Sequence, residues 1–178
     1  MPRCLALITA FLISVTSLTS TVLSNSDRHE SQPPPASIND FETRAFEAVN
    51  RERLKLSLRP LQRAEDLSSV ARNHSRDMIA RQYFAHRSPE GDDLRARFAR
   101  NGINRWQRIA ENIACNLGYR DPVTTAVESW MQSPGHRQNI LDQRLTETGI
   151  GVAVDSVGRV YFTQVFATRE RATIARAK

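Results

Sequence analysis

The stretch "TGIGVAVDSVGRVYFTQVF", residues 148–166, decides the fold class. Residues 149–154 and 159–166 are dense in β-branched and aromatic side chains, and residues 155–158 between them have the composition of a turn. Two β runs joined by so short a link predict an antiparallel hairpin near the C-terminal end of the fold. Most of the chain upstream has the other rhythm, apolar residues at helical spacing.

From Asn39 to Leu56, the residues Phe41, Ala45, Ala48, Val49 and Leu56 recur with that spacing, with Asn39 as N-cap and Pro60 closing the helix. A second helix is predicted over residues 65–82, with Leu67, Val70, Ala71 and Met78 as its stripe. His74 falls inside the stripe and reads as a satisfied core histidine. The glycosylation pattern Asn73-His74-Ser75 on that packed helix reads as chance. Tyr83-Phe84-Ala85 reads as a short strand or extended entry and Ser88-Pro89-Glu90-Gly91 as a turn. Asp92 or Asp93 then caps a short helix closed by Asn101-Gly102. In "RWQRIAENIACNLG" Ile109, Glu111 and Ile113 alternate with Ala110, Asn112 and Ala114, which predicts an extended segment. Asp121-Pro122 is an N-cap followed by proline at the first helical position. That helix runs to Gln132 with Val123, Ala126, Val127, Trp130 and Met131 on its core face, and Ser133-Pro134-Gly135 turns the chain into His136. Helices first and a hairpin last define an α+β fold, helices packed on a small antiparallel sheet.

The chain has 178 residues, 40 % of them hydrophobic, which suits one globular domain. Residues 1–24 have a short apolar run, then Ser and Thr, then small residues, the pattern of a signal peptide; an uncleaved amino-terminal anchor is the alternative, and the only membrane contact it implies. Residues 25–38 form a Pro-rich linker, residues 39–168 the folded domain and residues 169–178 a basic tail. Export to a secreted, periplasmic or cell-envelope location follows. Of the two cysteines only Cys115 outlasts leader removal, so no intrachain disulfide is expected and Cys115 reads as a small buried side chain. The formal net charge is +6. The arginines are scattered rather than interleaved with aromatics in one block, which argues against a nucleic-acid partner and for a solvated cationic surface.

His29 lies in the linker, whereas His86 and His136 each sit beside a turn, where a side chain can face a cleft. Glu111 interrupts the apolar alternation of "IAENIA", and Glu128 stands at the edge of its helix stripe. Neutral imidazoles and carboxylates suit zinc, and a histidine and a glutamate can exchange a proton near neutral pH. Salt bridges and hydrogen bonds under a loop are the alternative reading of the same four residues.

The blocks "AVNRERLKLSLRPLQRAEDLSSVARNHSRDM", "YFAHRSPEG", "AENIA", "SWMQSPGHRQNIL" and "TGIGVAVD…YFTQVF" together resemble, in this order, those of the CAP domain family (cysteine-rich secretory proteins, antigen 5, pathogenesis-related 1), in its short secreted bacterial form. The resemblance covers about residues 39–166. It implies a three-layer α-β-α sandwich and a tetrad of His86, Glu111, Glu128 and His136 lining a cleft, the histidines binding a divalent cation, zinc foremost. Asn139 matches the same block, with a role in tying down backbone. The cysteine pairs and cysteine-rich extension of eukaryotic members are absent, so functions attached to them do not transfer, and the sequence does not display the groove of the lipid-binding members. Three functions are expected on this basis. The first is a metal-bearing cleft for an extracellular ligand such as a lipid, peptide or cell-envelope polymer. The second is a metal-dependent, peptidase-like hydrolase with Glu111 or Glu128 as general base; a serine mechanism through Ser88 or Ser133 is disfavoured, because both precede prolines in turns. The third is an envelope-surface interaction module working through its arginines.

Overall fold

The hairpin of residues 148–166 sits at the centre of the molecule. In the computed structural model, which describes residues 37–170, β3 (Glu147–Val154) and β4 (Val160–Arg169) pair antiparallel with Ile150 opposite Gln164 and Val152 opposite Phe162. β2 (Trp106–Asn116) pairs antiparallel with the far side of β4, Glu111 opposite Val165. β1 (Gln62–Arg63) adds parallel to β3, so the order is β1-β3-β4-β2 and the sheet is mixed rather than wholly antiparallel. The leader, the linker up to residue 36 and the tail beyond Glu170 lie outside the described residues.

Strand alternation sorts the core into two layers. Val160, Phe162 and Phe166 of β4 face α1 (Ile38–Lys55), α4 (Pro122–Gln132) and α5 (Pro134–Leu141), packing with Ala45, Val49, Trp130 and Ile140. Val165 and Ala167 face α2 (Glu65–Ala80) and α3 (Leu94–Arg100), packing with Leu67, Val70, Ala71 and Phe98. β4 is therefore buried on both faces, and the helices flank the sheet as an α-β-α sandwich. α2 comes close to β3 because Gly149 and Gly151 carry no side chain: a Cβ on Gly151 would lie 1.9 Å from the Arg72 nitrogen.

Several boundaries differ from the sequence reading. Ser37 rather than Asn39 caps α1, its hydroxyl accepting from the Asp40 N–H at 3.1 Å. Tyr83-Phe84-Ala85 is not a strand. The Tyr83 N–H instead donates to the Met78 carbonyl at 3.0 Å and Gln82 takes φ 57°, closing α2 with a left-handed cap. After Ser133 the chain does not simply turn: Pro134 opens a second helix, α5, and His136 lies in its first turn. Asp93, not Asp92, caps α3 (Ala96 N–H to Oδ1, 3.1 Å), and Asp121 caps α4 as expected. Cys115 is half-buried, and burial pushes its thiol pKa up.

Candidate functional site

β2 is an outer strand, and its successive side chains turn to opposite layers. Ile109 packs with the α2–α3 cluster and Ala110 with the α1–α4–α5 cluster. Glu111 accordingly faces the α2–α3 side and Asn112 the α4–α5 side. One histidine reaches this strand from each layer.

His86 comes from the irregular segment between α2 and α3, and that segment is pinned at two consecutive carbonyls. His74 Nε2 donates to the Ala85 oxygen at 3.1 Å, and Arg97 Nη1 donates to the His86 oxygen at 3.0 Å. The His86 ring is half exposed, and its Nδ1 lies 2.9 Å from Glu111 Oε1. A carboxylate oxygen only accepts, so Nδ1 carries a proton, and in the neutral ring Nε2 is the bare nitrogen. Arg97 Nη2 donates to the other oxygen, Glu111 Oε2, at 2.5 Å.

His136 comes from α5. Its carbonyl accepts from Asn112 Nδ2 at 3.1 Å, and Asn139 Nδ2 donates to Asn112 Oδ1 at 2.9 Å and to the Glu111 carbonyl at 3.3 Å. Asn139 thus ties down backbone, as its block implied. The Trp130 indole N–H, bonded to the Ile113 carbonyl at 2.9 Å, fastens α4 to the same strand. The two imidazole rings stand 6.4 Å apart centre to centre, across the edge of β2. Burial, and then the His86 ring, lower the pKa of His136.

Three of the four candidates therefore meet at β2, and the fourth does not share their contacts. Glu128 is exposed on α4, its side chain without a hydrogen bond or ion pair among the described residues. Among those residues no group of three or more His, Cys, Asp or Glu side chains is arranged to hold a metal ion. The half-exposed ring of His86 and the wall of Glu111 border a surface trough of about 510 Å³ floored by Leu94 and Ile109. A more enclosed cleft of about 270 Å³ lies between α2 and α3, lined by Tyr83, Asp77 and Arg97; neither His86, Glu111 nor His136 enters it.

His74 is a buried, hydrogen-bonded core histidine, but it also touches the site: its Nε2 lies 3.9 Å from Glu111 Oε1. Its carbonyl bond to Ala85, and Arg97 altogether, escaped the sequence reading. A signal for Arg97 was present, since it stands three residues after Leu94 and so on the same side of α3 as that apolar residue, where a charge needs a partner.

The α-β-α sandwich is the fold that the block pattern implies. The model of the CAP cysteine-rich secretory protein family matches residues 46–166, and the chain belongs to that family. Among its relatives, the uncharacterized protein YkwD of Bacillus subtilis is 39 % identical over 117 residues, which are 66 % of this chain and 44 % of that protein. An extracellular protein containing a SCP domain from Bacillus anthracis has a solved structure that matches with TM-score 0.63 and 32 % identity, covering 74 % of this chain and 41 % of that one. An outer surface protein from Borrelia burgdorferi shares the fold with TM-score 0.68 at 16 % identity, over 75 % of this chain and 96 % of its own. The chain spans less than half the length of the curated relatives it matches. No helix among the described residues is long and apolar enough to cross a membrane.

Proposed function

We propose that this CAP domain works outside the cytoplasm as a binding protein, its His86–His136 pair holding a divalent metal, zinc by preference, and presenting it to an extracellular ligand. The observation that carries the reading is the 2.9 Å contact between His86 Nδ1 and Glu111 Oε1. A carboxylate behind an imidazole fixes the tautomer that leaves Nε2 to bind outward, the usual support of a metal-ligating histidine. His136 would supply the second nitrogen, and its lowered pKa favours the neutral ring a metal requires. Glu128, exposed on α4, would take part only through water or the ligand. Bound there, the ion would supply a Lewis-acidic position open to an oxygen or nitrogen of the ligand. The leader-like first residues and the extracellular relative support the location.

The hydrolytic reading draws less support. Both oxygens of Glu111 already accept a hydrogen bond, one from His86 and one from Arg97, which ties the carboxylate to the protein rather than to a substrate water. The arginine-surface reading is weakened by pairing: Arg72, Arg144 and Arg169 each lie against carboxylates of the same chain.

Zinc retained by the purified protein after loading and dialysis, measured by elemental analysis, tests the proposal. About one ion per chain is expected, with loss in a His86→Ala/His136→Ala double variant. Equal metal content in the two proteins would overturn it.

A further inference from the structure

We infer that Arg97 is the positioning residue of this site: by gripping Glu111 it sets the Nδ1–H tautomer of His86, and thereby keeps Nε2 available to a metal or ligand. The inference deepens the proposed function, resting on the reading of His86 as the group that faces the ligand.

Three contacts form a closed ring. Arg97 Nη1 donates to the His86 carbonyl at 3.0 Å, Arg97 Nη2 to Glu111 Oε2 at 2.5 Å, and Glu111 Oε1 accepts from His86 Nδ1 at 2.9 Å. One guanidinium thus holds His86 at its backbone and, through Glu111, at its ring. Two fixed points leave the imidazole little freedom to turn, although the ring itself is half exposed. The planar fork of arginine can span both acceptors at once, whereas a lysine ammonium has no such rigid geometry.

The remaining nitrogen of Arg97 points to the same conclusion. Its Nε is buried with no hydrogen-bond partner among the described residues, in a side chain only 10 % exposed. An arginine serving packing alone gains by satisfying all its nitrogens, since each unpaired buried donor costs free energy. Here both Nη atoms are committed to the two site residues while Nε goes without.

His74 does not compete for the role. It lies 3.9 Å from Glu111 Oε1, but its Nε2 proton is directed to the Ala85 carbonyl at 3.1 Å. With Oε1 given to His86 and Oε2 to Arg97, Glu111 acts as the support behind the histidine rather than as a metal ligand.

The test uses the full chain in metal-free form, labelled with ¹⁵N at histidine, and reads the His86 tautomer from long-range proton–nitrogen NMR spectra, the signal being assigned by its loss in His86→Ala. The wild type is expected to show the Nδ1–H form. Arg97→Met is expected to shift His86 to the Nε2–H form that free imidazole side chains prefer, and Arg97→Lys to give a mixture. Zinc affinity by calorimetry should fall about 10–100-fold in Arg97→Met. An Nε2–H tautomer in the wild type overturns the inference without any variant, and so does an unchanged Nδ1–H signal in folded Arg97→Met. Should Arg97→Met not fold, an Arg97→Lys spectrum identical to wild type overturns it. A wild type that takes up no zinc, but loses the tautomer on Arg97 substitution, would sink the metal reading and leave this one standing.

Discussion

His74 is 1 % exposed, and burial lowers its pKa below the ordinary value near 6.5, only partly offset by the nearby Glu111 carboxylate. The sign of the pH effect follows by linkage. Below about pH 6.5 the unfolded chain takes up a proton at this position that the folded chain refuses, so stability drops as the pH is lowered, until the folded pKa is reached. His136, shifted in the same direction, adds to that fall. His74→Gln should therefore show a shallower loss of melting temperature between about pH 7 and pH 5 than the wild type. Thermal melts across that range check it, and parallel curves for the two proteins would contradict it. The same residue illustrates what a sequence can convey at this scale. Its place in the Leu67–Val70–Ala71–Met78 stripe disclosed its burial, because burial follows from helical periodicity. Its bond to Ala85 did not, because it depends on where a loop eleven residues later comes to lie.

At the scale of elements, the closest approach is that of α2 to β3. Gly151→Ala would put a methyl group within 1.9 Å of the Arg72 nitrogen and into backbone that cannot yield without moving the helix. Overpacking of this kind typically costs about 1–3 kcal/mol, and more where backbone is the obstacle. Urea unfolding of the variant should show that loss; a midpoint equal to wild type would mean that α2 does not rest on Gly151. α4 was legible because Asp121-Pro122 is a local start signal and its side chain caps the Val123 and Thr124 N–H groups. α5 was not. Its residues "PGHRQNIL" bury only Ile140, so it has no apolar stripe to read. The two residues of β1 form a strand only because the β3 edge accepts them, with the Gln62 N–H donating to Thr146 and the Ala64 N–H to Thr148. Tyr83-Phe84-Ala85 had strand composition but no such edge, and helix capping took the Tyr83 N–H instead.

For the molecule as a whole, the described residues, 37–170, join a four-stranded sheet to three hydrophobic clusters. A fragment of those residues should fold unaided and unfold in one cooperative transition, followed together by far-ultraviolet circular dichroism and by the fluorescence of Trp106 and Trp130. Separate transitions for the two probes would show that this stretch is not a sufficient folding unit. Packing across the sheet is also what assembles the site. His86 arrives with the α2–α3 layer and His136 with the α4–α5 layer, and only the sandwich closing on both faces of β2 brings the rings within 6.4 Å.

The sequence by itself determined the helix-then-hairpin order, the α+β class and the family, because periodicity, caps and block order are properties of neighbouring residues; the family resemblance named four site residues, of which His86, Glu111 and His136 lie together at β2. Tertiary structure alone decided the parallel β1, the helical start beneath His136, the separate setting of Glu128 and the grip of Arg97 on Glu111. Each of these depends on which backbone edge or buried charge a distant segment finds opposite it, and no local pattern encodes that partner.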